Sequence, residues 1–360
     1  MKKITLFLAV MLGATVSVCA QETEKKPLTI SGYAEVYYQY DFNNPKTNNR
    51  PGFVYSLSRN NEVSLNLGFI KASYETEKVR ANLSVGVGSY MNANYAAETN
   101  VLKNIYEANV GVKLSKNHDL WLDAGIMPAH IGSESAIGAD CFTLTRSMMA
   151  DNSPYFETGT KLSYNTSNGK WSMAALVLNG WQRIQRVDGN TTPAFGHQLT
   201  YRPTDKITLN SSSFIGNDFP DNERKMRYFH NLYGQVQLSD KVAFIAAFDI
   251  GAQQKEKNST RYNTWYTPAF IAKWSPSEKI DLAARVEYYN DKNGTIIATE
   301  TTNGFQTFGA SFNVDYHILS NVVWRTEIKS LNSKDAVFAT RSNEMKKDNA
   351  SIVTSLAVRF

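Results

Sequence analysis

The stretch IDLAARVEYYN, residues 280–290, indicates the fold class. Positions 280, 282, 284, 286 and 288 are apolar or aromatic, whereas the charged side chains Asp281, Arg285 and Glu287 occupy the alternate positions. A period of two places successive side chains on opposite faces of an extended strand. The stretch therefore predicts a β-strand with one apolar face and one charged face.

The same alternation recurs along the chain, for example in residues 28–40 and 79–88. No stretch after residue 20 shows the 3.6-residue period of a helix. We count sixteen candidate strands, which begin near Leu28, Glu62, Val79, Leu102, Leu120, Phe156, Trp171, Phe195, Ile207, Arg227, Val242, Thr264, Lys279, Phe305, Val322 and Asn349.

Short and long connections alternate between these strands. Residues 75–78 and 115–119 are short turns, whereas residues 41–61, 91–101 and 128–155 are long. Bacterial outer-membrane barrels have this layout, with an even strand number, tight periplasmic turns and long external loops. We therefore predict an all-β protein, a single antiparallel transmembrane β-barrel of about sixteen strands (range about 14–18). A secreted soluble β protein that binds carbohydrate through Tyr and Trp is the alternative, but it does not explain the loop alternation.

The apolar faces fit a wall that contacts lipid. Aromatic residues near the strand ends would form the interfacial belts of such a wall: Tyr38, Tyr40, Tyr74, Trp121, Tyr164, Trp171, Trp274, Tyr288 and Tyr316. Cross-strand aromatic packing in a soluble sheet would also explain these residues.

The opposite faces carry charge, which indicates a wet lumen because unpaired charges are costly inside a dry core. The candidate pore-lining residues are Glu35, Arg80, Glu107, Asp123, Asp249, Asp281, Arg285, Glu287, Arg325, Glu327 and Lys329. The same residues could instead form structural salt bridges between adjacent strands, and the two roles are compatible. Because the signs nearly cancel, the sequence predicts no preference for cations or anions.

Composition excludes other classes. Apart from the first twenty positions, no apolar run approaches the ~20 residues that a membrane helix needs. The 42% of hydrophobic residues and the 12% of aromatic residues exceed what a disordered chain carries.

Residues 1–20 resemble a secretory signal peptide. Lys2 and Lys3 precede an apolar stretch, and Val18-Cys19-Ala20 places small residues before a cut at Gln21. The barrel domain would then span residues 21–360, with a formal charge of +3 after loss of two lysines from the +5 chain, too little to predict a nucleic-acid partner. A lipoprotein anchor at Cys19 is the alternative, although in Val16-Ser17-Val18 the bulky Val18 stands directly before the cysteine, where such a site needs Gly or Ala. The mature chain keeps only Cys141, so an intrachain disulfide is excluded.

The last strand ends on Phe360 with no tail. Ile352, Leu356, Val358 and Phe360 share one face of it. A terminal aromatic residue resembles the signal by which outer-membrane barrels are recognised by the barrel-assembly machinery.

Residues 128–155 form the best candidate for a constriction loop. The 28 residues far exceed the ~2–5 of ordinary hairpin loops. The candidate charged residues of this loop are Glu134, Asp140, Arg146 and Asp151. A loop folded into the lumen would narrow the pore, whereas an external cap would not enter it, and the sequence leaves both open.

Motifs for catalysis are absent from the sequence. It contains no G-x-S-x-G, no H-E-x-x-H, no Cys/His metal spacing and no phosphate-binding loop, and its five histidines suggest no partner set. We therefore expect no enzyme activity, no cofactor and no metal. Trp181, at the outer end of a strand, is interpreted as an interfacial anchor, with contact to a ligand as the alternative.

Four segments resemble the OmpL-like putative β-barrel porin family. They are TRSMMADNSPYFETGTKLSY (145–164), ALVLNGWQRI (175–184), FIGNDFP (214–220) and AFDIGAQ (247–253), within a resemblance that spans nearly the whole mature chain. The resemblance implies one closed outer-membrane barrel and a role in passive diffusion. Cys141 departs from it, and no role is predicted for this cysteine.

We therefore predict a porin-like channel for ions and small hydrophilic solutes in the cell outer membrane. The alternative is a non-conducting barrel that acts as an adhesin or receptor through external loops such as residues 46–50, 255–261 and 334–347. The expected partners are outer-membrane lipid, the barrel-assembly machinery and small hydrophilic solutes; nucleic acid is not expected, and a homotrimer is left open.

Overall fold

The computed structural model describes residues 27–360, most of which form a closed barrel of sixteen antiparallel strands. The predicted signal segment, residues 1–20, lies outside the described residues. The barrel strands are β1 (Leu28–Asp41), β2 (Val63–Glu75), β3 (Val79–Val87), β4 (Ile105–Lys113), β5 (Asp119–Pro128), β6 (Phe156–Asn165), β7 (Trp171–Leu178), β8 (Ala194–Thr204), β9 (Ile207–Gly216), β10 (Arg227–Ser239), β11 (Val242–Gln254), β12 (Tyr262–Ser277), β13 (Ile280–Asp291), β14 (Phe305–Leu319), β15 (Val322–Ser333) and β18 (Asp348–Arg359). Each strand pairs with its neighbours in sequence, and the predicted antiparallel barrel is confirmed.

The barrel closes between the first and last barrel strands. Ala34 of β1 lies opposite Val358 of β18, and the backbone of Gly32 exchanges two hydrogen bonds with that of Phe360, at 2.7 and 3.1 Å. Closure leaves no open strand edge, so every barrel strand has a partner on both sides.

Long connections gather at one end of the barrel, as the sequence predicted. They include α1 (Ser89–Asn94), α2 (Met148–Asp151), two 3₁₀ turns (Asn100–Asn104 and Gly138–Asp140) and a ribbon of β16 (Phe338–Ala339) and β17 (Met345–Lys346). None of the helices in residues 27–360 has the length and apolar character of a membrane span.

The wall has unequal height. Strands β3, β4 and β7 have nine, nine and eight residues, whereas β12 and β14 have sixteen and fifteen. We call β3–β7 the low wall and β10–β15 the tall wall. On β13 of the tall wall, Ala284 and Val286 are exposed, while Arg285 and Glu287 are buried. The period of two thus separates an apolar outer face from a charged inner face.

The assignment of Trp121 to the predicted aromatic belt is wrong. Tyr38, Tyr74, Trp274 and Tyr316 are exposed on the outer face, but Trp121 is only 6% exposed and lies 4.3 Å from the Arg80 guanidinium. Trp121 shares its strand phase with the inward Asp123, whereas the outward phase belongs to Leu120 and Leu122. The belt assignment rested on residue type and ignored this phase.

Candidate channel lumen and its inner loop

The predicted pore-lining residues all lie in the inward phase of their strands. Nine of them are buried: Glu35, Glu107, Asp123, Asp249, Arg285, Glu287, Arg325, Glu327 and Lys329. Arg80 and Asp281 are partly exposed. Burial of so many charges inside a barrel requires partners, because an unpaired buried charge costs several kcal/mol.

The tall wall pairs its charges in a network across β13 and β15. Arg285 lies 3.3 Å from Glu287 and 3.2 Å from Glu327, and Lys329 lies 3.0 Å from Glu287. Strands β14 and β15 add a second pair, in which Arg325 Nε donates to Asp315 at 2.7 Å. Cross-strand salt bridges, the alternative interpretation of these residues, are therefore present.

Residues 128–155 pack against this network, and we call them the inner loop. Glu327 accepts hydrogen bonds from the Thr145 amide (2.6 Å) and the Thr145 hydroxyl (2.7 Å). Arg285 donates to the Thr143 hydroxyl (2.7 Å) and to the Thr145 carbonyl (2.7 Å). Because both wall residues point inward, the middle of the inner loop lies inside the barrel.

Two further wall cations hold the backbone of the inner loop. Arg325 donates to the carbonyls of Gly138 (2.5 Å) and Cys141 (2.9 Å), and Lys329 donates to the carbonyl of Arg146 (3.0 Å). A Cβ at Gly138 would lie 2.5 Å from a Glu35 carboxylate oxygen, so a larger residue there would displace the Glu35 side chain. The wall cations therefore bind the loop as well as the neighbouring carboxylates.

The four predicted charged residues of the inner loop have different surroundings. Glu134 accepts from the Ser147 amide at 3.1 Å, and Asp140 forms an ion pair with Arg359 at the short-turn end of the barrel. Asp151 accepts from the Ser56 amide at 3.1 Å, and burial raises the pKa of Asp151 to about 6. An ion pair with Arg359 means that the loop reaches far down the barrel.

Arg146 turns back into its own loop. Its guanidinium donates to the carbonyls of Ser135 (2.7 Å), Leu144 (2.8 Å) and Ala136 (3.1 Å), and the residue is 1% exposed. Arg146 therefore ties the loop together and presents no charge to an open passage, which the sequence pattern did not indicate.

The low wall and the adjacent strand β2 carry separate pairs that are more accessible. Arg80 Nε donates to Asp123 at 2.6 Å, and Lys71 donates to Glu107 at 2.6 Å. A cavity of about 340 Å³ lies between Lys71, Glu107 and the inner loop near Glu134. A cavity with charged residues in its lining therefore remains between the inner loop and this side of the barrel.

A family comparison agrees with this architecture. Residues 27–360 match the model of the family described as "Putative beta-barrel porin-2, OmpL-like". The chain belongs to this family. No curated protein sequence matches the chain.

Solved outer-membrane proteins share the fold at low identity. The anion-selective porin of Comamonas acidovorans is 6% identical, with a TM-score of 0.61 over 92% of this chain and 99% of that chain. The trimer form of OmpT from Vibrio cholerae is 8% identical, with a TM-score of 0.60 over 92% and 99%. The outer membrane channel DcaP of Acinetobacter baumannii is 12% identical, with a TM-score of 0.57 over 92% and 97%.

His130 anchors the start of the inner loop, and sequence reasoning missed it. Its ring nitrogens lie 2.7 Å from a Glu157 carboxylate oxygen and 2.8 Å from the Ser213 carbonyl. Both neighbours are acceptors, so this geometry needs a proton on each nitrogen or a protonated Glu157. Burial lowers the pKa of His130, but the Glu157 charge, its hydrogen bond and the Ser213 carbonyl together outweigh burial, and the net pKa is raised.

The interpretation of Trp181 as an interfacial anchor is also wrong. The indole packs edge-on against Phe214 (5.1 Å between ring centroids) and Phe229 (4.8 Å), and the Arg227 guanidinium lies 5.0 Å from the ring centroid. Phe214 and Phe229 belong to the buried inner face. Trp181 therefore lies inside the mouth of the barrel and is not an anchor on its outer surface.

Two histidines form a polar array on the outer face of β8–β10. The Ser213 hydroxyl lies 2.6 Å from His197 Nδ1, and the Ser211 hydroxyl lies 3.3 Å from His197 Nε2 and 3.2 Å from His230 Nε2. The sequence suggested no such partners. Strands β8, β9 and β10 stay paired along this stretch, so their amides are used within the sheet.

Other predicted residues carry structural contacts. The Phe360 ring covers Gly32, where a Cβ would lie 2.3 Å from it. The Cys141 thiol is buried and free, and its sulfur accepts from the Ser135 amide at 3.2 Å. Residues 27–360 contain no group of three or more His, Cys, Asp or Glu side chains arranged to hold a metal ion.

Proposed function

We propose that this chain is an outer-membrane channel for passive diffusion of ions and small hydrophilic solutes, narrowed by its inner loop. The observation that carries the proposal is a closed barrel with an apolar outer face and a charged inner face, into which residues 128–155 fold. An apolar exterior suits lipid, and a polar interior suits water.

Family membership supports the same function, since the family is described as porin-like. The structural neighbours include a porin described as anion-selective and an outer membrane channel. Those descriptions belong to those proteins, so we propose no ion preference for this chain. Mixed-sign pairs along both walls agree with a weakly selective passage.

The proposal includes the route to the membrane. Residues 1–20 would act as a cleaved signal peptide, and Phe360 would serve the barrel-assembly machinery. A homotrimer is part of the proposal because one neighbour is described in a trimer form.

Liposome swelling tests the proposed function. Refolded protein in liposomes should admit small neutral and charged solutes at rates that fall steeply with solute size. Variants that release the inner loop should shift the size limit upward. Liposomes that stay impermeable to every small solute would refute a channel and support a barrel that acts through its external loops.

A further inference from the structure

A cavity of about 440 Å³ opens at the loop-bearing end of the barrel. The volume falls within the ~300–1,000 Å³ that small-molecule sites occupy. Segments from six external connections line it, and its polar and aromatic lining includes Asn94, Asp151, Trp181, Arg183, Asp218, Arg227 and Thr295.

Hydrogen bonds between loops hold this cavity in shape. The Gln182 side chain accepts from the Tyr155 amide (2.8 Å) and donates to the Asn94 carbonyl (3.2 Å). Gln182 has a φ of 55°, a left-handed conformation that non-glycine residues adopt only when their surroundings impose it. Hydrogen bonds between separate loops therefore define part of the cavity wall.

Trp181 gives the cavity an aromatic surface. Asp218 accepts a hydrogen bond from the Trp181 amide at 2.9 Å, which fixes the backbone of this residue. The contacts with Phe214 and Phe229 fix its ring. The Arg227 guanidinium covers part of this ring, but Trp181 is only partly buried, and the open part of the rigid indole offers apolar area to the C–H faces of a ring-shaped solute at low entropic cost.

The polar lining is balanced in charge. Asp151 and Asp218 oppose Arg183 and Arg227, and Arg227 is already committed through its donors to Gln253 (2.7 and 3.0 Å) and Asp218 (3.2 Å). Such a lining attracts neither anions nor cations strongly, yet it offers both donors and acceptors to hydroxyl groups.

Two lining oxygens lack partners within the described chain. The side-chain oxygens of Asn94 and Thr295 are buried and accept no hydrogen bond in residues 27–360. A buried polar group without a partner costs free energy. A solute hydroxyl at the cavity edge would supply one after a small side-chain rotation.

We propose that this cavity is an entry site for neutral, polyhydroxylated solutes of mono- to disaccharide size. The inference rests on the proposed channel function, and it adds a substrate class to that function. The aromatic surface would bind the apolar face of a sugar ring, and the balanced polar lining would bind its hydroxyl groups.

Current recordings from the full barrel in planar bilayers test the inference. Maltose added on the loop side should produce saturable current noise or block. Polyethylene glycol of matched size should reduce the current only in proportion to its volume. Glucuronate and glucosamine, which place a negative or a positive charge on a glucose ring, should bind more weakly than glucose.

Matched variants locate the site. Trp181→Ala should weaken maltose block roughly tenfold, since it removes the aromatic contact. Trp274→Ala, which removes an exposed indole from the outer face, should leave the block unchanged. Thr295→Val is nearly isosteric and breaks no hydrogen bond of its hydroxyl within the described chain, so it should keep the fold and weaken the block about fivefold.

Each outcome separates the two proposals. Current without any sugar-dependent block would overturn the entry site and leave the channel intact. Stronger binding of glucuronate or glucosamine than of glucose would overturn the neutral class. Equal block in Trp181→Ala, Trp274→Ala and the parent chain would place sugar binding elsewhere. Absence of current before any sugar is added would refute the channel itself.

Discussion

Replacing Arg285 with methionine should release the inner loop from the wall. Arg285 donates three hydrogen bonds to the loop, to the Thr143 hydroxyl (2.7 Å), the Thr145 carbonyl (2.7 Å) and the Thr145 hydroxyl (2.8 Å). Hydrogen bonds to a charged group contribute about 1.5–3 kcal/mol each, but a simple sum is too large because water replaces some of them when the loop opens. We expect the free energy of loop opening to fall by roughly 3 kcal/mol.

Hydrogen exchange measures this change directly. The amides of Leu144 and Thr145 donate to the wall residues Asn313 and Glu327, at 3.1 and 2.6 Å. A loss of roughly 3 kcal/mol should accelerate exchange at these amides by about 100-fold.

Arg80→Met is the matched control. Arg80 is also an inward arginine paired with a carboxylate, and its contacts are with Asp123 and Trp121 on the low wall. This control should leave exchange at Leu144 and Thr145 unchanged. Equal exchange in the parent chain, Arg285→Met and Arg80→Met would refute the idea that wall charges hold the loop.

Three further predictions follow from other residues. Burial raises the pKa of Asp151 to about 6 from an ordinary value of 3.8, so the contribution of Asp151 to folding stability is fully present below about pH 4 and is lost as the pH rises through 6. Above pH 6, Asp151→Asn should therefore increase the free energy of unfolding over that of the parent chain by up to ~3 kcal/mol. Equal denaturation midpoints of the two proteins at pH 8 would contradict this prediction. Deletion of Phe360 removes the ring over Gly32 and the two backbone hydrogen bonds that join these residues. It should therefore lower the fraction of protein molecules that form a barrel resistant to unfolding in cold detergent. Normal assembly of the shortened chain would rule out a terminal assembly signal. A fluorophosphonate probe, which reacts with activated serines, should not label Ser213. The backbone amides near Ser213 are hydrogen-bonded within the sheet, so none is left to stabilise an oxyanion. Labelling of Ser213 that disappears in His197→Ala would contradict this prediction and indicate catalysis.

Sequence periodicity predicted the barrel because strand structure is local. Arg285 and Glu287 could be assigned to the inner face from residues 280–290 alone, and the structure places them there. The prediction for Trp121 was wrong because it used the type of side chain and not the position of the residue in the inward or outward phase of its strand.

The site was less predictable because its contacts join distant segments. Arg285 meets Thr145 through the closed barrel, and no local pattern indicates which loop residue an inward arginine will bind. Arg146 had the charge of a pore residue, but the carbonyls of its own loop bind it. His130 and Trp181 were equally hidden, since their partners Ser213 and Phe214 lie on a strand far along the chain.

Single-channel conductance of the refolded barrel tests the central claim most directly. The account predicts discrete open levels with nearly linear current–voltage curves and larger levels in Arg285→Met, because a released inner loop widens the passage. A folded barrel that shows no open levels in either form would contradict the account and identify a sealed barrel.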